Sequence, residues 1–265
     1  MRYFFHIAYN GSHYNGWQKH PKAHSVQEVI EKKLSEVFKL PLTINGCGRT
    51  DAKVHASQYF FHVDIEPSWD FDLVFRLNKL LPHNIAVFEV IPVAEKAHAR
   101  FDAVQREYSY YLHTYKDAFL SQLSSFYLLP HLNINEMARA AALLPNYTDY
   151  RAFCTSPDKY DHTLCYVKQA SIAISPDEKQ LRFHITANRF LTRMIRIIMA
   201  KLLLIGQGLM SVDEFEDLLR TCQIPSTLEA AHPTGLYLSK ISYPYLNIPA
   251  QRSFCGVADL NWVRL

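Results

Sequence analysis

Alternating apolar positions open the chain. Tyr3, Phe5, Ile7 and Tyr9 fall on one face of a strand predicted over residues 2–9. Turns follow at Asn10-Gly11-Ser12 and Asn15-Gly16. Ser25-Val26-Gln27-Glu28 reads as a capping box, opening a helix to about Phe38. Its apolar stripe is Val26, Val29, Ile30, Leu34 and Val37, with the Lys33 stem at the edge. A short strand near 42–47, a loop, and a strand near 57–65 with Tyr59, Phe61, Val63 and Ile65 alternating come next. A helix from Asp70 to Leu81 is stopped by Pro82, and Ile85 to Val93 reads as a strand. The order is βαββαβ, a ferredoxin-like unit.

The second half follows the same pattern: a strand over 106–115, a helix capped by Asn133 and running to about Leu144, and strands near 166–174 and 180–187. A long helix is predicted over 189–205, ending at Gly206. A further helix is capped by Ser211 and runs to about Thr221, and the last strand covers 235–243. The expected architecture is α+β. Two ferredoxin-like halves share one mixed, mostly antiparallel sheet, with helices on one face and a central cleft. The halves are residues 1–104 and 105–265, bridged at 95–105. Residues 247–265 lack periodicity and are expected to pack as a tail.

Composition narrows the class. Hydrophobic residues make up 49% of the 265, which excludes a disordered chain. A formal charge of +3 is only mildly basic. Five cysteines without CxxC spacing argue against a zinc site or a disulfide framework, and they fit reduced thiols in a cytoplasm. No HExxH pattern occurs, so no metal is expected. With no signal-peptide pattern and no run of 18 apolar residues, neither export nor a membrane span is expected.

The stretch from Asn45 to Ala56 carries the candidate chemistry. It lies in a loop between two strands, where functional groups gather. Gly46 and Gly48 allow tight turning or close approach, and Arg49 and Asp51 stand two apart with a small residue on each side of Asp51. An aspartate so placed serves as a cap, a turn former, an ion-pair partner or a nucleophile, and the residues alone leave these open. In the predicted long helix, Arg189, Arg193 and Arg196 are spaced four and three and would share one face. Phe190, Met194, Ile197 and Ile198 would lie on the adjoining face. Such a basic stripe suits a floor under phosphates, or simply a solvated face.

The run Gly48-Arg49-Thr50-Asp51-Ala52-Lys53-Val54-His55-Ala56 resembles the TruA family of tRNA pseudouridine synthases at eight of nine signature positions. Tyr9-Asn10-Gly11, Gly16-Trp17-Gln18, Asn78 to Pro82, His98 to Ala103, Arg106-x-Tyr108-x-Tyr110, Gly206-Gln207-Gly208 and Gly235 to Leu238 resemble further family blocks in the same order. The resemblance implies isomerisation of uridine in structured tRNA, at anticodon-arm positions, without a cofactor and by a homodimer. It implies that Asp51 is the nucleophile, Arg196 its cationic partner and Tyr108 the ring that stacks on uracil. Arg49 would help extrude the base and Leu238 would line the pocket. Arg106 and Lys53, with Arg189 and Arg193, are expected to add charge toward the RNA.

The chain departs from the family pattern at Lys53, which replaces a glycine, and at Cys165, where an arginine is common. It departs also around Arg196 and at Thr148-Asp149-Tyr150. These departures suggest a divergent paralogue, and they motivate an alternative, a non-catalytic RNA-binding protein of the same fold. Hydrolysis of a glycosidic bond is a third reading, but the loop offers no second carboxylate.

Overall fold

A computed structural model describes residues 1–66, 69–129, 131–249 and 263–264. Its strands are β1 (Arg2–Tyr9), β2 (Asn45–Gly46), β3 (His55–Asp64), β4 (Ile85–Val93), β5 (Gln105–His113), β6 (Ser125–Phe126), β7 (Val167–Ile174), β8 (Gln180–Ala187), β9 (Leu236–Ser242) and β10 (Val263–Arg264). Its helices are α1 (Val26–Phe38), α2 (Leu73–Leu80), α3 (Ile134–Leu143), α4 (Met194–Gly206) and α5 (Val212–Thr221). The fold is α+β with mixed, mostly antiparallel pairing, as the hydrophobic pattern predicts. Among the described residues, no helix is long and apolar enough to cross a membrane.

The chain divides into two compact units. One holds Met1–Val104 and the stretch that starts at Tyr237, and the other holds Gln105–Leu236. The strand β9, placed with the C-terminal half in the 1–104/105–265 division, thus groups from Tyr237 onward with the first unit. The reason is backbone pairing: His55 lies opposite Tyr237 and Ala56 opposite Leu238, in parallel register.

In the first unit the strands lie in the order β4-β1-β3, with β2 and β9 also on β3. β1 is central and antiparallel to both neighbours. Burial on β1 is not confined to the alternate face expected from the sequence. Phe4 and His6 are as deeply buried as Phe5 and Ile7, because both faces are covered. Phe5 stacks on Phe61 at 4.8 Å, and Phe4 meets the edge of Tyr243 at 5.3 Å. α1 starts where Ser25 Oγ accepts from the Glu28 N–H. It buries Val26, Ile30 and Leu34, and also the polar Gln27 and Glu31.

In the second unit the order is β10-β7-β8-β5, with β6 parallel to β5. The Asn133 and Ser211 caps expected for α3 and α5 are both present, the latter as a full capping box. The tail expectation is described only in part. Val263 and Arg264 pair with β7, while residues 250–262 lie outside the described residues.

The long helix differs from its prediction. α4 begins at Met194, not near 189. The segment before it is held by Tyr160: its hydroxyl accepts from the Thr192 N–H at 3.0 Å and lies 2.6 Å from Thr192 Oγ1. Arg193, the N-cap residue, has φ 61°, outside helical geometry. Arg189, Arg193 and Arg196 therefore do not form one helical stripe.

Candidate active site

The loop from Cys47 to Val54 leaves β2 and enters β3, and nearly every turn of it is held by the segment after β1. The Trp17 N–H donates to the Thr50 carbonyl at 3.2 Å, and the Lys53 N–H donates to the Tyr14 carbonyl at 3.1 Å. The Tyr9 and Thr50 hydroxyls lie 2.9 Å apart in the interior. The Gly11 N–H donates to His55 Nδ1 at 3.1 Å, and the His55 ring stacks on Tyr237 at 4.4 Å. From behind, the Tyr59 hydroxyl donates to the Gly48 carbonyl at 2.5 Å. The blocks Tyr9-Asn10-Gly11, Tyr14 and Gly16-Trp17-Gln18, far from Asp51 in sequence, are thus the clamp on its loop.

Two glycines are demanded by that clamp. Gly16 has φ 91°, and a Cβ there would lie 2.4 Å from the Thr50 carbonyl oxygen. A Cβ on Gly11 would lie 1.9 Å from the Val54 carbonyl oxygen. Gly46 is needed for packing, since a Cβ would strike Tyr59 and Trp17, whereas a Cβ on Gly48 would meet nothing within 4 Å.

Asp51 is half-buried at the head of a turn in which its carbonyl accepts from the Val54 N–H at 3.2 Å. The third residue of the turn, Lys53, has φ 64°, a left-handed conformation as in a type II turn. The signature glycine is therefore replaced at a position whose backbone favours glycine. Lys53 and Arg49 are exposed. Behind Arg49 runs a chain of side chains: Arg49 Nε donates to Gln18 Oε1 (3.2 Å), Gln18 Nε2 to Gln27 Oε1 (2.8 Å), and Gln27 Nε2 to the buried carboxylate of Glu31 (3.0 Å). Because Glu31 only accepts, it fixes which way both amides face. Leu238 is buried on β9, opposite Ala56.

In the second unit, Tyr108 is half-buried on β5 with its ring edge-to-face against Phe190 at 5.1 Å. Arg106, on the same strand, donates from Nη1 to the Asn188 carbonyl at 3.0 Å. Arg189 lies with its guanidinium 5.6 Å from the centre of the Tyr160 ring and 3.4 Å from His162 Nε2, while Arg193 is exposed. Arg196, in the first turn of α4, is half-buried. Its Nε donates to the Ala231 carbonyl at 2.8 Å, and the Ala231 N–H returns a bond to the Arg196 carbonyl at 2.9 Å. Next to Ala231, the His232 N–H donates to the Tyr127 hydroxyl at 2.9 Å, and the His232 carbonyl lies 2.9 Å from the Tyr110 hydroxyl. Burial pushes the Tyr110 and Tyr127 phenols up, and the Arg196 charge opposes it.

Cys165 is not a surface position. It is fully buried, and burial pushes its thiol up to about 12, so the arginine-to-cysteine departure places no reactive thiol toward solvent.

The Asp51 clamp and the bracing of Arg196 were not read from the sequence. Trp17 and Tyr110 belong to blocks that resemble the family pattern, but nothing local tells what they hold. Tyr127, Ala231 and His232 carry no local signal at all.

Comparison with known proteins agrees with the arrangement of these blocks. The pattern of a family described as tRNA pseudouridine synthase matches residues 6–102 and 140–244. A protein named tRNA pseudouridine synthase A from Porphyromonas gingivalis is 38% identical over 92% of this chain and 97% of its own length. Proteins of the same name from Parabacteroides distasonis and Bacteroides fragilis are 36% and 37% identical, over 94% and 92% of this chain and 99% and 97% of theirs. Matched over both of these stretches, with the clamped aspartate loop inside the first, the chain belongs to the tRNA pseudouridine synthases, the TruA family of RNA-modifying isomerases.

Proposed function

We propose that this protein converts uridine to pseudouridine in the anticodon arm of tRNA, with Asp51 as nucleophile. The observation that carries the reading is the rigid presentation of Asp51. A half-buried carboxylate heads a turn whose neighbours are fixed by backbone bonds to Tyr14 and Trp17. A reacting group held this way loses little freedom on meeting its target. In the reaction, the bond between N1 and C1′ breaks with the carboxylate engaged. The uracil turns, C5 bonds to C1′, the C5 hydrogen leaves as a proton, and N1 takes one up. Direct attack at C1′ and a glycal route make the same demand: an ionised carboxylate beside an everted base.

Arg196 is the cation that keeps Asp51 ionised as water leaves. Tyr108 stacks on the uracil and assists removal of its C5 proton, Leu238 lines the pocket, and Arg49 helps turn the base out. Arg106, Lys53, Arg189 and Arg193 bind phosphates from separate segments, not as a single helical stripe. A homodimer acting in the cytoplasm completes the reading. No step draws on redox chemistry or an external group donor.

The test uses in vitro tRNA transcripts carrying tritium at uridine C5, which is released on isomerisation. Asp51→Asn should cut release by at least about 1,000-fold with tRNA binding retained. Wild-type activity in that variant would remove Asp51 from the mechanism. A wild-type protein that binds tRNA and releases no tritium would reduce this chain to an RNA binder.

A further inference from the structure

We propose that Tyr110 and Tyr127 are positioning residues for Arg196, acting through the peptide between Ala231 and Pro233. The inference rests on the role given above to Arg196 and goes beyond it, by naming what sets the direction of that guanidinium.

An arginine side chain has four rotatable bonds, so a useful one must be braced. Arg196 is braced at Nε by the Ala231 carbonyl, 2.8 Å away. That carbonyl belongs to an irregular segment between α5 and β9, and an irregular segment is only as fixed as its own bonds. The next residue, His232, is itself exposed, its ring tilted against Tyr127 at 5.1 Å. Its main chain is gripped on both sides. The N–H donates to the Tyr127 hydroxyl at 2.9 Å, and the carbonyl lies 2.9 Å from the Tyr110 hydroxyl and 3.2 Å from Ser125 Oγ. The two phenols stand 3.2 Å apart, so they form one polar unit.

The foundation of that unit is rigid. Tyr110 lies mid-strand on β5, fully buried and in register with Phe183. Ser125 lies on β6, which runs parallel beside β5. The polarity also fits. Both phenols stay protonated at neutral pH because burial disfavours the phenolate, so they act as fixed dipoles beside the guanidinium and do not compete with a carboxylate for it. Tyr127→Phe removes the hydroxyl that holds the His232 N–H, and Tyr110→Phe leaves the His232 carbonyl with Ser125 Oγ alone. The segment then shifts to find another partner, and the Ala231 carbonyl moves with it.

Tyr110→Phe and Tyr127→Phe keep the rings and delete only the hydroxyls. Tritium release from the same tRNA transcripts should show kcat lowered roughly tenfold or more, with KM within about twofold, since a misplaced guanidinium affects the reacting state more than docking. Thermal melts confirm that each variant is folded. The deciding measurement is a double-mutant cycle with Arg196→Lys: either Phe substitution should add little to the loss already caused by the lysine. Normal kcat in both Phe variants would overturn the proposal. So would a loss that adds in full on the Arg196→Lys background, since the tyrosines would then act elsewhere. If Arg196→Lys itself keeps full activity, the role of Arg196 fails first, and that outcome is distinguishable from failure of the brace.

Discussion

Lys53 shows how a single residue can run against its backbone. The chain turns between Asp51 and Val54 with φ 64° at Lys53, where a side chain costs about 1 kcal/mol or more relative to glycine. Glycine also gains freedom in the unfolded chain, so the net advantage of Lys53→Gly is smaller. The substitution should stabilise the protein by roughly 0.5–1 kcal/mol in urea unfolding. If the ammonium meets a phosphate, as proposed, tRNA binding should weaken and its salt dependence should become shallower by about one unit of slope. A variant that is more stable but binds tRNA with an unchanged salt slope would leave Lys53 without a role toward RNA. The motif revealed this position in the sequence, because a lysine stood where resemblance called for glycine. The left-handed backbone itself could be seen only in the structure.

At the scale of elements, the hydrophobic pattern was a good guide to what is regular and a poor one to where regularity stops. α1, α5 and β8 match their predicted spans because their caps and turns are local: Ser25, Ser211 and the turn after Ile174 act within a few residues. α4 failed at its start, since the Tyr160 hydroxyl, 32 positions away, holds Thr192 outside the helix. The clamp on the Asp51 loop is likewise non-local, and its tightest point is Gly16. Gly16→Ala combines a left-handed φ with a Cβ set 2.4 Å from the Thr50 carbonyl oxygen. It should destabilise the first unit by about 2 kcal/mol or more. Tritium release should fall even below the melting temperature, because the loop must move aside. Full activity in a stably folded Gly16→Ala variant would mean that the clamp does not position Asp51.

For the whole molecule, the interior carries more polar groups than an amphipathic reading assigns to it, and this gives stability a pH signature. His6 and His62 are buried, and burial lowers each to about 4, with the nearby His98 pushing His62 further down. Unfolded, they titrate near 6.5. Above that value both states are neutral and folding is unaffected. As pH falls from about 6.5 toward 4, the unfolded chain takes up protons that the folded one refuses, so stability is lost across that window, by up to about 3 kcal/mol per histidine. His62→Gln should reduce the slope of stability against pH in that range, and an unchanged slope would mean His62 titrates alike in both states. The sequence by itself determined the succession of the main strands and helices and the motif that marks Asp51, because periodicity, caps and turn residues act over a few positions. Only the tertiary structure decided which buried histidines stay neutral, where the helix bearing Arg196 begins, and what braces that arginine. The brace joins Tyr110 to His232 across 122 positions, and no local pattern encodes a bond whose partners meet only after the strands between them have packed.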